Sequence, residues 1–470
     1  MKYYFIGIGG IGMSALARFF KQQGHAVSGY DHTESPLTQQ LVKEGINVHY
    51  DDDPSRIPTD VDKIIITPAV PTTTAVYQTA ASMGVPVIKR SQALGELTQG
   101  KKCIAVAGSH GKTTTTAMIA HLLMQLEQGC SAFMGGIAKN FNSNLVVHPE
   151  SEYVVVEADE YDRSFLWLHP FYSIITATDP DHLDIYGDHQ HLLQAFTQFA
   201  NQTEPNGALF IKEGAGFAEH EHDSHSHHHH EGEAEVLHGL SLREGLTVHT
   251  YGARSFNPDY YAVNVRNYRG NLFFDLRTPD GVLYDLQLTN SCLYNVENAV
   301  VAAAVAISCG LTESQLRSGL KSFAGIQRRF DYHINEPSLT YIDDYAHHPQ
   351  EIAATIESVR YLYPGKRIVG VFQPHLYSRT AEFYKEFADV LSTLDEVVLM
   401  DIYPAREEPI PGVTSRLIMR EMKKMNRYLI AREEVCNVVV ALCPDVVLTM
   451  GAGDIDRLVP QMERTLRENM

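Results

Sequence analysis

Residues 103–123 read CIAVAGSHGKTTTTAMIAHLL and predict a buried strand, a glycine loop and a helix in immediate succession. Glycines let backbone N–H groups approach phosphate oxygens, and the start of a helix favours negative charge. Lys112 would neutralise β- and γ-phosphates, and the Thr113 hydroxyl would ligate Mg²⁺. A glycine turn with a solvent-facing lysine is the alternative, but strand, loop, Gly-Lys-Thr and helix stand in register. We therefore expect an α/β domain that binds ATP through Gly108, Ser109, His110, Gly111, Lys112, Thr113 and Thr114.

A second glycine loop lies at the start of the chain, in MKYYFIGIGGIGMSALARFF (1–20). Its glycine spacing is that of a dinucleotide-binding turn, and Asp31 ends the next strand where a ribose-binding acid would sit. Any pyrophosphate satisfies such a loop, and Asp31 is equally compatible with a plain strand end. Beside a separate ATP loop, we expect a second diphosphate-bearing molecule here, and an NAD-dependent oxidoreductase is the alternative. The predicted loop residues are Gly9, Gly10, Ile11, Gly12 and Met13.

The composition describes a globular chain without a nucleic-acid partner. It has 470 residues, 44% of them hydrophobic and 20% charged, and a formal net charge of −19, which disfavours nucleic acid and anionic membranes. No signal peptide and no apolar run of membrane-spanning length are visible, so no membrane insertion is expected. The six cysteines show no CxxC spacing. We therefore expect reduced thiols and a cytoplasmic protein.

The alternation of strand and helix patterns divides the chain into three α/β domains. We predict domains at 1–98, 99–325 and 326–470, with a meander of short strands at about 246–289 inside the second. One segment stands apart: EHEHDSHSHHHHEGEAE (219–235) is too polar to join a core. A solvated insertion is the preferred interpretation, and a metal-storage or metal-sensing role is the alternative, since histidine tracts without fixed geometry bind metals loosely.

Acidic residues follow two predicted strands of the middle domain. Because ligands bind at the carboxyl ends of parallel strands, these acids are expected near the ATP loop. Clustered carboxylates repel one another unless a cation lies among them, and Mg²⁺ with ATP suits oxygen ligands. The alternative is that they cap loops and face water. The two groups are Glu157, Asp159, Glu160 and Asp162, and then Asp179, Asp181, His182 and Asp184.

The third domain carries DDYAHHPQE (343–351) and FQPHLYSRT (372–380), each at a change from strand to helix. Polar side chains there would point into one cleft, and surface residues at helix starts are the alternative. Just before them, Arg328 and Arg329 are suited to clamping a phosphate or carboxylate. The candidate residues of the two motifs are Asp344, His347, His375 and Arg379.

Taken in order, the motifs GIGGIGMS, GSHGKTTTT, EADEYD, DHLD, YNVENA, GIQRRF, DDYAHHPQE, FQPHLYSRT, DIYPAREEPIPGVTS and GAGD resemble the Mur ligases of peptidoglycan synthesis. The resemblance spans nearly the whole chain and is strongest to the branch that adds L-alanine to UDP-N-acetylmuramate. It implies a Rossmann-like UDP-binding domain, a central P-loop ATPase-like domain with a small β meander, and a C-terminal Rossmann-like domain that helps bind the amino acid. We expect the chain to act as a monomer or a homodimer.

The resemblance further implies roles for individual residues. Lys112 resembles the phosphate-binding lysine, and Thr113, Glu157 and His182 resemble the ligands of two magnesium ions. Asn295 resembles the asparagine that meets adenine. The positions that line the nucleotide and amino-acid sides are Arg329, Asp344, His347, His375 and Arg379. The residues with an implied catalytic role are Lys112, Glu157, His182, Arg329 and His347.

Three residues depart from the family pattern. Ser109 replaces a common threonine, and Leu376 stands where many members have arginine. Tyr161 stands where alanine-adding enzymes often have serine, and a tyrosine there also occurs in the ligase that recycles murein tripeptides. The motifs GIGGIGMS and PGVTS favour the alanine-adding enzyme, and the recycling ligase is the alternative. In either case the implied reaction activates a carboxylate as an acyl phosphate at the expense of ATP.

Overall fold

The computed structural model describes residues 1–179, 186–213, 235–237, 239–252, 258–268, 270–405, 407–423 and 425–470. By internal packing the chain forms two compact units. The first comprises 1–263, 275–286 and 297–323, and the second comprises 264–274, 287–296 and 324–470. The predicted domain limits at 98 and 325 remain predictions.

The N-terminal sheet is parallel, and its strand order is β3-β2-β1-β4-β5. Four of the five residues of the first strand are buried, as its apolar run predicts. The strands are β1 (Lys2–Ile6), β2 (Ala26–Tyr30), β3 (Asn47–His49), β4 (Lys63–Ile66) and β5 (Val87–Lys89). The helices are α1 (Ile11–Gln22), α2 (Pro36–Lys43), α3 (Ala75–Ser82) and α4 (Arg90–Thr98).

The central sheet has ten strands in the order β17-β16-β15-β14-β11-β10-β6-β9-β7-β8. Its middle strands, from β14 to β7, are parallel, so their carboxyl ends share one edge. The strands up to the predicted meander are β6 (Lys102–Ala107), β7 (Ser131–Ala138), β8 (Ser143–Val146), β9 (Tyr153–Glu157), β10 (Tyr172–Ile175) and β11 (Ala208–Lys212). Those that follow are β12 (Glu235–Leu237), β13 (Leu240–Leu242), β14 (Thr247–Gly252), β15 (Tyr260–Tyr268), β16 (Asn271–Thr278) and β17 (Gly281–Leu288); β12 and β13 pair separately.

The helices of this part of the chain are α5 (Lys112–Leu123), α6 (His189–Asn201), α7 (Tyr294–Ser308) and α8 (Glu313–Ser322). Helix α8 begins with a capping box: the Thr312 hydroxyl accepts a hydrogen bond from the Gln315 N–H, and the Gln315 side-chain oxygen accepts one from the Thr312 N–H. The tract 219–235, apart from Glu235 at the start of β12, lies outside the described residues, so neither of its interpretations is tested.

The third sheet has the order β18-β19-β23-β20-β21-β22 and is parallel except for β18. Its strands are β18 (Asp331–Asn335), β19 (Thr340–Asp344), β20 (Ile368–Phe372), β21 (Glu396–Leu399), β22 (Arg427–Leu429) and β23 (Val446–Met450). Its helices are α9 (Pro349–Leu362), α10 (Tyr377–Leu391), α11 (Ser415–Glu421), α12 (Val435–Ala441) and α13 (Val459–Glu468). The predicted α/β class, with three main sheets, is confirmed.

Two further expectations can be compared with the structure. All six cysteines lie within the described residues and each is a free thiol. In the same part of the chain, no helix has the length and apolar character needed to cross a membrane.

Candidate active site

The glycine loop after β6 is built around residues that follow β10. Gly108 has φ +133°, and a Cβ there would overlap the Thr176 hydroxyl, so only glycine fits. The Ser109 N–H donates to the Ala177 carbonyl at 3.0 Å, and the Ser109 hydroxyl donates to the Asp179 carbonyl at 2.8 Å. Gly111, at φ +82°, caps the start of α5. The loop therefore has the close-backbone geometry that the sequence predicts for a phosphate site.

Lys112 begins α5, and its ammonium group contacts two acceptors. Nζ donates to the Gly108 carbonyl at 2.7 Å and to Glu160 Oε1 at 2.7 Å. Burial alone would lower the pKa of the Lys112 amine, but the charges of Glu160, Asp159 and Glu157 outweigh it, and the pKa is raised. Lys112 is thus a positive charge held at the phosphate loop.

Protein cations are found beside three of the four acids that lie at and just beyond the end of β9. Glu160 pairs with Lys112, Asp162 pairs with Lys89, and Asp159 Oδ2 lies 3.4 Å from Arg90 Nη2. These side chains lower the repulsion between the carboxylates, and the expectation of Mg²⁺ among these acids stays a prediction. Glu157 differs, because its hydrogen bond comes from a backbone N–H.

Glu157 ends β9 and accepts a hydrogen bond at 2.9 Å from the N–H of Gly135 on the neighbouring strand β7. The Glu157 carboxylate and the Thr113 hydroxyl are the hard oxygen donors that Mg²⁺ prefers, so these residues suit that ion. Within the described ranges, no group of three or more His, Cys, Asp or Glu is arranged to hold a metal. His182, the third predicted ligand, lies outside the described residues, as do Asp181 and Asp184.

The N-terminal glycine loop leads into α1, whose first residues are Ile11, Gly12 and Met13. Asp31 Oδ2 accepts a hydrogen bond from the Gly9 N–H at 2.7 Å, and Oδ1 accepts one from the Thr33 N–H at 3.2 Å. The predicted ribose acid therefore lies directly against the predicted diphosphate loop.

Arg90 links this loop to the acids after β9. A Cβ on Gly12 would lie 2.7 Å from Arg90 Nη1, so the guanidinium lies over the first turn of α1. Its Nη2 faces Asp159, and Arg90, Asp159 and Glu157 line one small cavity. Arg90 therefore places a positive charge between the two predicted phosphate sites of the first unit.

In the second unit, Asp344 ends β19 and is buried. Its Oδ2 accepts hydrogen bonds at 3.1 Å from the hydroxyls of Tyr294 and Thr355, and Oδ1 accepts one at 2.9 Å from the Ala346 N–H. Burial raises the pKa of Asp344 to about 6. Asn295, the other predicted nucleotide-site residue, directly follows Tyr294 in the chain and is 7% exposed.

His347, His375 and Arg379 form a second cluster in this unit, as predicted. The two imidazole rings are 6.1 Å apart, and Arg379 Nη1 donates to His375 Nδ1 at 3.4 Å. Burial, the neighbouring His347 ring and the positive charge of Arg379 lower the pKa of His375 to about 4, so it is neutral at pH 7. Burial also lowers the pKa of His347. Arg379 is therefore the cation of this cluster that suits a carboxylate.

The adjacent arginines of GIQRRF have different surroundings. Arg328 binds Asp343 at 3.1 Å and the Gly451 carbonyl at 2.6 Å, so the idea that it clamps a substrate anion is not supported: its guanidinium holds β19 and β23 together. Both arginines also lie beside the Tyr345 ring, with the guanidinium at 5.4 Å for Arg328 and at 5.8 Å for Arg329.

Sequence reasoning missed two contributors and left a third without a role. Gly135 and Arg90 belong to no recognisable motif, because the contacts that make them important are made with strands and helices that are distant in sequence. Glu160 was recognised only as a member of the acidic group, although an acid near a phosphate-loop lysine is a signal that could have been used.

A glycine loop with a lysine after a central parallel strand, a carboxylate at the end of the neighbouring strand and a second glycine loop are typical of an enzyme that uses a nucleoside triphosphate. Comparison with known domain families identifies which kind. Residues 2–102 match "Mur ligase family, catalytic domain", 106–306 match "Mur ligase middle domain", and 328–453 match "Mur ligase, glutamate ligase domain". The chain belongs to the Mur ligase family, which confirms the resemblance of its motifs.

Curated relatives extend the similarity over the full chain. The UDP-N-acetylmuramate–L-alanine ligase of Phocaeicola vulgatus is 45% identical, over 98% of this chain and 96% of its own. That of Porphyromonas gingivalis is 46% identical, over 99% of both chains. Among solved structures, the UDP-N-acetylmuramate-alanine ligase of Thermotoga maritima aligns over 100% of both chains at 27% identity and a TM-score of 0.81. A murein peptide ligase from Psychrobacter arcticus, 19% identical with a TM-score of 0.66, shares the fold.

Proposed function

We propose that this chain is an ATP-dependent ligase that joins L-alanine to the lactyl carboxylate of UDP-N-acetylmuramate in the synthesis of the peptidoglycan precursor. The observation that carries the proposal is the similarity, at 45% and 46% identity over nearly the whole chain, to relatives that bear this name. The phosphate loop with Lys112 supports the use of ATP. The six free thiols and the nucleotide substrates favour the cytoplasm.

The reaction proceeds in two steps. A lactyl carboxylate oxygen attacks the γ-phosphorus of ATP, ADP leaves, and an acyl phosphate forms. The L-alanine amine then attacks the acyl carbon, phosphate leaves with the C–O bond electrons, and the new amide nitrogen loses its proton. Catalysis of this kind relies on positioning the reactants and neutralising their charge.

Each group of residues has a part in this scheme. The ammonium of Lys112 neutralises charge on the β- and γ-phosphates, and the N-terminal glycine loop binds the diphosphate of the nucleotide sugar. Asn295, Arg329 and Asp344 bind the nucleotide, while His347, His375 and Arg379 bind the amino acid. Two Mg²⁺ ions, bound through Thr113, Glu157 and His182, would supply further charge neutralisation at the phosphates.

The test is phosphate release from ATP and Mg²⁺ with UDP-N-acetylmuramate, comparing L-alanine with an L-Ala-D-Glu-diamino-acid tripeptide. We expect release with L-alanine and a product heavier by one alanine residue. Release with the tripeptide alone would overturn the proposal in favour of peptide recycling. That alternative rests on the tyrosine at position 161. The likeness to the murein peptide ligase, at 19% identity, supports the fold alone and gives recycling no further weight.

A further inference from the structure

We propose that Glu160 is a positioning residue for catalysis: it anchors the Lys112 ammonium from the buried side so that this group is ready to receive the phosphates of ATP. The inference rests on the proposed use of ATP at this loop. Glu160 has no proposed role as a metal ligand or as a substrate-binding residue, so this role would be its first.

Lys112 has enough hydrogen-bond donors to bind both of its protein partners and a phosphate. An ammonium group has three N–H donors. The Gly108 carbonyl and Glu160 Oε1 accept two of them, both at 2.7 Å. Since neither of these bonds needs to break, the third donor is left for a phosphate oxygen, and two fixed acceptors set its direction.

Burial of the two partners carries the second step. The Glu160 side chain is 1% exposed and that of Lys112 is 14% exposed, so the carboxylate lies on the inner side of the amine. A phosphate arriving from solvent would therefore meet the lysine, with the glutamate behind it. This placement favours anchoring over competition between Glu160 and ATP for the same face of the ammonium.

The backbone of Glu160 is itself fixed by two hydrogen bonds. Its carbonyl accepts one from the Tyr186 hydroxyl at 2.6 Å and one from the Arg163 N–H at 3.0 Å. Tyr186 is buried, with 4% of its surface exposed. Because the backbone of Glu160 is already fixed, its side chain loses little further entropy when it pairs with Lys112. A residue that pre-organises a binding group needs this property.

Neighbouring acids do not duplicate this contact. Asp159 Oδ2 faces Arg90 and Asp162 pairs with Lys89, while Glu157 accepts the Gly135 N–H. Glu160 is therefore the member of this acidic group that hydrogen-bonds to the lysine of the phosphate loop.

The experiment is a double-mutant cycle on the full chain with Glu160→Gln, Lys112→Ala and the double variant. Calorimetry measures the dissociation constant of a non-hydrolysable ATP analogue with Mg²⁺. Since Glu160 acts through the lysine, Glu160→Gln should weaken binding about tenfold when Lys112 is present and less than about twofold when it is absent. Steady-state kinetics should show the KM for ATP rising while that for UDP-N-acetylmuramate stays unchanged.

Two further variants keep the result interpretable. Glu152→Gln is the matched control, because Glu152 pairs with Lys102 at 3.0 Å on the surface of the same unit, and it should bind the analogue normally. Glu160→Asp retains the charge but withdraws it by one methylene, and should give a smaller loss with the same dependence on Lys112. It also replaces Glu160→Gln if that variant fails to fold.

Three outcomes would overturn the inference: unchanged binding by Glu160→Gln, tighter binding, or the same loss with and without Lys112. The last would mark Glu160 as merely structural, and the second would mark it as a competitor of ATP. Turnover of the wild-type enzyme with L-alanine is measured separately. Absence of this turnover would refute the proposed function. Normal turnover, together with a loss of binding in Glu160→Gln that does not depend on Lys112, would refute the role of Glu160 alone.

Discussion

Gly135 and Glu157 lie on neighbouring strands, and the Gly135 N–H donates a hydrogen bond to Glu157 Oε2 at 2.9 Å. A Cβ on Gly135 would overlap both carboxylate oxygens. The glycine therefore does two things at once: it makes room for the carboxylate and fixes its direction. Outer contacts of this kind orient the groups that hold a metal.

Gly135→Ala should consequently displace the Glu157 carboxylate. We expect kcat to fall by about 10- to 100-fold, with a higher Mg²⁺ concentration needed for half-maximal activity, as for other contacts behind a metal ligand. The measurement is the rate of phosphate release over a range of Mg²⁺ concentrations. Gly84→Ala is the control for the loss of a glycine elsewhere in the first unit, since a methyl group there would meet open space. An unchanged Mg²⁺ dependence in Gly135→Ala would contradict this role for the glycine.

Lys112→Ala should separate ATP chemistry from recognition of the nucleotide sugar. Removing a charge-stabilising contact costs about 3–4 kcal/mol of barrier, so turnover should fall by at least about 10²-fold. Binding of UDP-N-acetylmuramate, measured by calorimetry without ATP, should stay within about twofold because the N-terminal glycine loop is intact. A variant that lost both properties would refute the assignment of the two loops to different ligands.

Arg90→Ala should have the opposite pattern. Its guanidinium lies over Gly12 at the start of α1, where the diphosphate is proposed to bind. We expect the KM for UDP-N-acetylmuramate to rise about tenfold, the loss typical of a charge-assisted contact, while the KM for ATP stays unchanged. Lys89→Ala is the matched control, because the neighbouring lysine pairs with Asp162. If both variants raise the KM equally, the effect belongs to the local surface and not to Arg90.

Local sequence signals predicted the parts of the fold that depend on local physics. The phosphate loop between β6 and α5, and the Thr312 cap of α8, are each set by residues within a few positions of one another. Strand β3 (Asn47–His49) cannot be recognised in this way, because three residues are too few to show a period. Strand β7 is also hard to recognise, since the glycines of SAFMGGIA interrupt its apolar pattern.

The contacts that complete the candidate site depend on register between distant segments. Gly135 meets Glu157 because β7 pairs with β9, and Arg90 reaches Gly12 because α4 packs beside α1. From the sequence, Arg328 and Arg329 were predicted to have the same role, the binding of a phosphate or carboxylate. Only the pairing of β19 with β23 shows that Arg328 is used within the sheet, where Asp343 and the Gly451 carbonyl bind it.

Asp344 gives a prediction about stability and pH. Burial raises its pKa from 3.8 to about 6, so between these values the folded state retains a proton that the unfolded state has released. The free energy of unfolding therefore falls as pH rises through this window, and the full cost, about 3 kcal/mol, is present above pH 6. Asp344→Asn removes the buried charge, and its amide can donate to the hydroxyls of Tyr294 and Thr355.

We expect Asp344→Asn to be more stable than the wild type by up to about 3 kcal/mol at pH 7.5, and equally stable near pH 4. Urea unfolding followed by far-UV circular dichroism at both pH values measures this difference. Trp167, the single tryptophan, lies in the first unit, and its fluorescence follows the unfolding of that unit in both proteins. A stability gain that is equal at the two pH values would show that the variant acts through packing, and not by removing a buried charge.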